Sequence, residues 1–252
     1  MGASMKTGYA KADGNERFTE GNYSTGESGM WDNFPALAVL NDPTLVHDYM
    51  NDFYDYLVGE WTLTTTEGGG GDATEALADE PGGILLVTND ALDNDSDELQ
   101  KKGEAYLLSA GKPLWFEARV SFTDASADVT QLDMLIGLVI TDTATIDGTT
   151  DGIFFQNDDG DLSIDYHCIL NSTETASTGD TGVDLKAGVY NRFGMHWDGK
   201  GTVYYWIDGK LVATATANLP TDEELCITLA VQNGEAVAKI MRVDYVRCVQ
   251  VR

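Results

Sequence analysis

The sequence predicts an all-β chain folded as a two-sheet antiparallel sandwich, and three observations predict it. First, residues 190–216 read as a meander. Phe193, Met195 and Trp197 alternate with Gly194 and His196, and Val203, Tyr205 and Ile207 alternate with Tyr204 and Trp206. Turns at Asp198-Gly199-Lys200-Gly201 and Asp208-Gly209 separate the runs. Asp-Gly suits a two-residue hairpin loop, because both central residues need positive φ. Period-two alternation broken by such turns marks strands rather than helices. Second, residues 134–140 are almost wholly apolar, as a central strand covered on both faces requires. Third, about twelve strand-like runs recur with turns at roughly 8–12-residue spacing, which is the pattern of a sandwich.

Taken in order, residues 1–30 are rich in Gly, Ser, Asn and Thr and lack any apolar period, so they read as a flexible arm. Tyr9, Phe18, Tyr23 and Met30 give the arm side chains to bury against a partner. Residues 31–59 read as a short helical or irregular docking segment. It opens with Trp31-Asp32-Asn33-Phe34-Pro35, and Trp31 and Phe34 join the partner-binding candidates. Pro43 at a first helical position, followed by Leu45, Tyr49, Asp52, Phe53 and Tyr56 at helical spacing, predicts a short helix there.

The sandwich is expected over residues 60–252. Strands are read at 61–66, 84–88, 104–108, 116–122, 134–140, 152–156 and 161–170, then through the meander, and at 225–231 and 238–251. A glycine run at 68–71 and an acidic loop at 73–81, with room for one helical turn, interrupt the early part. No repeat of 20–50 residues is visible, which excludes a propeller or solenoid.

Composition narrows the partners. The 252 residues carry 42 acids and 15 Lys or Arg, a net charge of −27. Such a field repels nucleic-acid phosphates and anionic lipid. It favours solubility, a salty medium or a basic protein partner. Residues 31–110 are the most acidic stretch, with 17 acids and two bases. Cys168, Cys226 and Cys248 lie in apolar runs at no metal-site spacing, so they read as buried free thiols suited to a reducing cytoplasm. The polar N-terminus reads as lacking a leader peptide. No apolar run approaches the roughly 20 residues of a membrane helix.

The residues that could carry chemistry are sparse in pattern. A glycosidase needs two carboxylates flanking one bond, and no strand shows two Glu alternating on one face. Glu117 has Arg119 as its same-face neighbour, which predicts a surface ion pair, and Glu223-Glu224 falls in a loop. His167 and His196 should both face away from the core, and would meet beside Asp165 if their strands paired. Asp93, Asp95 and Asp97 alternate as oxygen ligands for Ca²⁺ would, but Glu98 stands where the EF-hand loop needs Gly. A solvated acidic turn is the reading preferred. Tyr204 and Trp206 share a face that could stack on a sugar ring, although core or subunit packing is the reading preferred.

From about residue 99 onward the chain resembles a phage virion protein family with a concanavalin A-like, LamG-type jelly roll. The resemblance rests on 112–119 (KPLWFEAR), Gly137-Leu138 with 140–143 (ITDT), 151–155 (DGIFF), Asp208-Gly209, 219–225 (LPTDEEL), 232–236 (QNGEA) and 243–247 (VDYVR). It implies an all-β, concanavalin A-like jelly roll with an irregular N-terminal arm. It further implies a non-enzymatic capsid decoration protein that grips the major capsid protein, is assembled in the host cytoplasm and forms homo-oligomers. No cofactor is implied beyond the weak Ca²⁺ candidate. The alternatives are a carbohydrate-binding module for a surface glycan and a glycoside hydrolase on the same fold.

Overall fold

The computed structural model describes residues 30–31, 43–69, 71, 73–174 and 177–252. The candidates Tyr9, Phe18, Tyr23 and Phe34 lie outside the described residues. Strands are numbered along the chain. The eight-stranded sheet runs β13 (Lys210–Ala215), β12 (Val203–Ile207), β11 (Asn191–Trp197), β6 (Leu114–Thr123), β15 (Ile240–Val251), β4 (Leu85–Thr88) and β3 (Thr74–Leu77). β1 (Val46–Asn51) pairs with the C-terminal half of β15. The seven-stranded sheet runs β10 (Thr178–Asp184), β9 (Ser163–Ile169), β8 (Gly152–Asn157), β7 (Leu132–Val139), β14 (Cys226–Asn233), β5 (Ser96–Lys101) and β2 (Trp61–Thr66). Every pairing is antiparallel, and the two inner faces enclose the core.

The alternation read from the sequence decides which side chains meet. Phe116, Ala118, Val120 and Phe122 of β6 face Ile136, Leu138, Phe155 and Leu229 of the other sheet in one apolar cluster. Complete burial of each large apolar side chain contributes about 1.5–3 kcal/mol. The Asp208-Gly209 hairpin forms as expected, with φ of 52° and 79° at its two central residues. The three cysteines are free and buried. At the edge of the core, the Lys239 ammonium is enclosed with Asp124 at 3.0 Å and Glu235 at 2.9 Å, so its charge is compensated.

Five elements differ from the sequence reading. Residues 46–51 form β1 rather than part of a helix; its six residues pair in unbroken register with β15. Tyr49 packs toward the core and Val46 against Trp115 and Val249 on the outer side, an arrangement with period two. The acidic loop contains β3, and the acidic turn gives way to β5, whose residues 96–100 are buried. β10 lies in a Gly- and Thr-rich stretch where no strand is expected. Conversely, residues 104–108 make only an isolated bridge, Tyr106 to Leu225. The one α-helix of the described residues is four residues long, Thr145–Gly148.

Candidate functional site

Strand pairing brings together what the linear sequence keeps apart. Asp165 on β9 lies directly opposite Gln156 on β8 and Asp180 on β10. The neighbours of Asp165 along β9, Ile164 and Tyr166, pack into the core, so Asp165 points to the outer face of the seven-stranded sheet. Directly opposed side chains on adjacent antiparallel strands have Cβ atoms about 5 Å apart. The Ser163 hydroxyl lies between the two carboxylates and donates to Asp165 Oδ1 at 3.3 Å.

Their acidities are pushed in opposite directions. Burial raises Asp165 above the ordinary carboxylate range, and the nearby charge of Asp180 adds to this, while Ser163 and His167 oppose it. Asp180 is held below that range by the Gly182 N–H, which donates to its Oδ1 at 2.6 Å, and by Ser163. Asp165 is thus the weaker acid of the two and Asp180 the stronger. Such divergence is what separates an acid from its ionised partner.

The surroundings are shaped by the neighbouring strands and loops. His167 stacks flat on Phe154 at 4.9 Å between ring centres, and its Nδ1 is 3.0 Å from Glu174 Oε2. Leu135, Val139, Phe154, Ile169 and Ala230 form an apolar patch under Ile146 of the short helix, which roofs the adjoining part of the outer face. Gln156 and Asp165 remain half-buried beside this roof, and Asp158 and Asp180 are exposed. The result is an open polar strip bounded by an apolar wall.

The sequence reading missed this pair because it sought two acids on one strand, whereas these face each other across a ladder. The one signal present was the period-two position of Asp165 opposite an apolar face. The two histidines do not meet. β9 and β11 belong to different sheets, so His167 and His196 project from opposite sides of the sandwich. His196 stacks between Trp115 (4.8 Å) and Tyr204 (6.0 Å) on the eight-stranded sheet.

The other candidates are redistributed. Asp93 sits in an exposed turn, and Asp97 points inward, where its Oδ1 accepts the Thr65 hydroxyl at 2.6 Å. Asp95 is buried and joins Glu67 and Asp90 instead, with ligand atoms within 4.8 Å of one another. Among the described residues, those three carboxylates, and not Asp93, Asp95 and Asp97, are the set that could hold a hard cation. The Gly68 and Leu92 N–H groups donate to Asp95 at 2.6 and 3.1 Å.

Met30 and Trp31 lie against the chain's own eight-stranded sheet. Met30 is buried with Val46, Trp115 and Val249, and Trp206 packs alongside. Trp31 Nε1 donates to Glu117 Oε2 at 3.2 Å, and the Arg247 guanidinium lies 5.3 Å from its ring. The expected Glu117–Arg119 pair is replaced: Glu117 accepts from Trp31 and Tyr245, and Arg119 pairs with Asp244.

No protein-family model matches the sequence, and the search of curated proteins found no match. Solved structures do share the fold. An endo-1,3-beta-glucanase from Streptomyces sioyaensis superposes with a TM-score of 0.60 at 14% identity, over 81% of this chain and 96% of that one. An endo-beta-1,4-glucuronan lyase from Trichoderma reesei gives 0.53 at 14% identity, over 79% and 94%. The carbohydrate recognition domain of Emp46p gives 0.52 at 11%, over 76% and 88%. None of these three is a virion protein, and the virion part of the resemblance gains no support from them. The expectation of a non-enzymatic chain is corrected by the same likeness, because the scaffold is one that a glucanase and a lyase use. At such identities the likeness establishes the fold alone: a concanavalin A-like jelly roll, as the sequence reading expected.

Proposed function

We propose that this protein acts on a polysaccharide laid across the outer face of the seven-stranded sheet. In this reading Asp165 is the proton donor and Asp180 the ionised carboxylate in cleavage of a glycosidic bond. The observation that carries the reading is the facing pair with opposed acidities. We assign the retaining form of that reaction, in which one carboxylate attacks the sugar carbon while the other protonates the departing oxygen. His167, Gln156 and Ser163 would orient sugar hydroxyls and hold the carboxyls in place. The fold neighbours named above, a glucanase and a lyase among them, support carbohydrate as the ligand class. A glycan is accordingly the proposed partner; the capsid partner and virion location rest on the resemblance alone.

The test is release of reducing sugar from a panel of β-1,3- and β-1,4-linked glucans. Release by the wild-type chain that falls at least 100-fold in both Asp165→Asn and Asp180→Asn supports the assignment. Release unchanged in both variants would place the chemistry elsewhere, and neither release nor glycan retention by the wild type overturns the reading.

A further inference from the structure

Four of the chain's six arginines, Arg119, Arg192, Arg242 and Arg247, stand on β6, β11 and β15 of the eight-stranded sheet, and the strands of the seven-stranded sheet have none. Each alternates with core residues and therefore points to the outer face. Arg119 and Arg192 are directly opposite each other across β6 and β11. Like charges in that relation repel. Arg119 is paired with Asp244 and lies 4.2 Å from the centre of the Tyr190 ring, and Arg242 is paired with Glu80. Arg192 has no ion-pair partner among the described residues; the nearby Asp208 carboxylate is engaged by the Arg192 backbone N–H and by the Asn191 amide. Of these three guanidinium groups, that of Arg192 is the one outside any ion pair among the described residues.

A second observation comes from Ser121. It lies two residues beyond Arg119 on the same face and directly opposite Arg242. It is only 1% exposed, and its hydroxyl has no hydrogen-bond partner among the described residues. Buried hydroxyls are normally paired, and one that is not calls for an explanation. Ser121 is diagonal to Arg192 across β6 and β11, and a hydroxyl donor with a guanidinium outside any ion pair is a donor set suited to an oxyanion, since a guanidinium fork matches the oxygens of a carboxylate or sulfate.

We propose that Arg192, Arg119 and Ser121 form an oxyanion-binding site on the outer face of the eight-stranded sheet, taking the carboxylate or sulfate group of a small acidic ligand. The site is on the opposite side of the sandwich from Asp165 and Asp180 and is independent of them. In a chain of net charge −27 the long-range field repels anions, so saturable uptake requires a local site of this kind.

The experiment is titration calorimetry of the full chain with sodium sulfate and, separately, sodium glucuronate, at ionic strength held constant with chloride. Saturable binding of at least one anion is expected, weakened tenfold or more in Arg192→Gln and several-fold in Ser121→Ala, and unchanged in Asp165→Asn. Sulfate alone would identify a tetrahedral oxyanion and glucuronate alone a sugar carboxylate; either supports the site. Arg192 is exposed and unpaired, so Arg192→Gln should keep the wild-type circular dichroism spectrum. The proposal is overturned if neither anion binds saturably, or if Arg192→Gln binds as tightly as the wild type.

Discussion

Asp97 faces inward from β5, fully buried, with the Glu75 carboxyl of β3 beside it. Burial first, and then Glu75, push its pKa up to about 8. The native chain therefore holds a proton that the unfolded chain has lost across the range between about pH 4 and pH 8. Where the native state binds more protons, stability falls as pH rises. This residue should thus make the protein most stable at the acidic end of that window and progressively less so toward and past pH 8. Asp97→Asn keeps the shape and the Thr65 contact and removes the titration. Its urea midpoint should change less between pH 5 and pH 8.5 than that of the wild type, and it should exceed the wild type at the upper end. Equal pH slopes in the two proteins would show that Asp97 is not the source.

Among the elements, the outer face of the eight-stranded sheet shows what a glycine at one strand position does. A Cβ at Gly194 would lie 2.6 Å from the Met30 sulfur, so the absence of a side chain there is the seat for Met30. Trp31 is then held by Glu117 and Arg247. Gly194→Val should displace Met30 and cost about 1–3 kcal/mol, as overpacking of a filled site does. The loss should appear in thermal melts, together with increased acrylamide quenching of Trp31 fluorescence relative to a Trp31→Phe control. Gly194 was legible in the sequence only as one position in an alternation. The meander, β6, β7 and β15 were legible because each buries one clean apolar face. β1 was misread because Leu45, Tyr49, Phe53 and Tyr56 fit a helical period, and only the distant β15 ladder makes residues 46–51 a strand. β5 was hidden because Asp97 and Glu98 read as solvated acids, although both are buried. The Asp165–Asp180 pair was illegible for a related reason: it depends on β10, a strand that the sequence does not announce.

Across the whole molecule, β15 holds the eight-stranded sheet together. It pairs with β6 along one side and with β4 and β1 along the other. Vectorial synthesis makes that placement a matter of timing. While the ribosome is still translating residues 240–251, β1, β4 and β6 have left the exit tunnel without the strand that joins them. Three unpaired edges are then exposed in a nascent chain, and unpaired edges invite pairing with other chains. Native structure should appear only once residues 240–251 have emerged, in one cooperative step. A chain stalled before residue 240 and probed with protease on the ribosome should be digested like an unfolded one, whereas the full-length chain held clear of the tunnel by a flexible C-terminal linker should resist. Protection of the stalled chain would show that the other strands assemble without β15. If the expectation holds, the interval between emergence of residues 46–51 and of their partner is the period in which the chain most needs a chaperone.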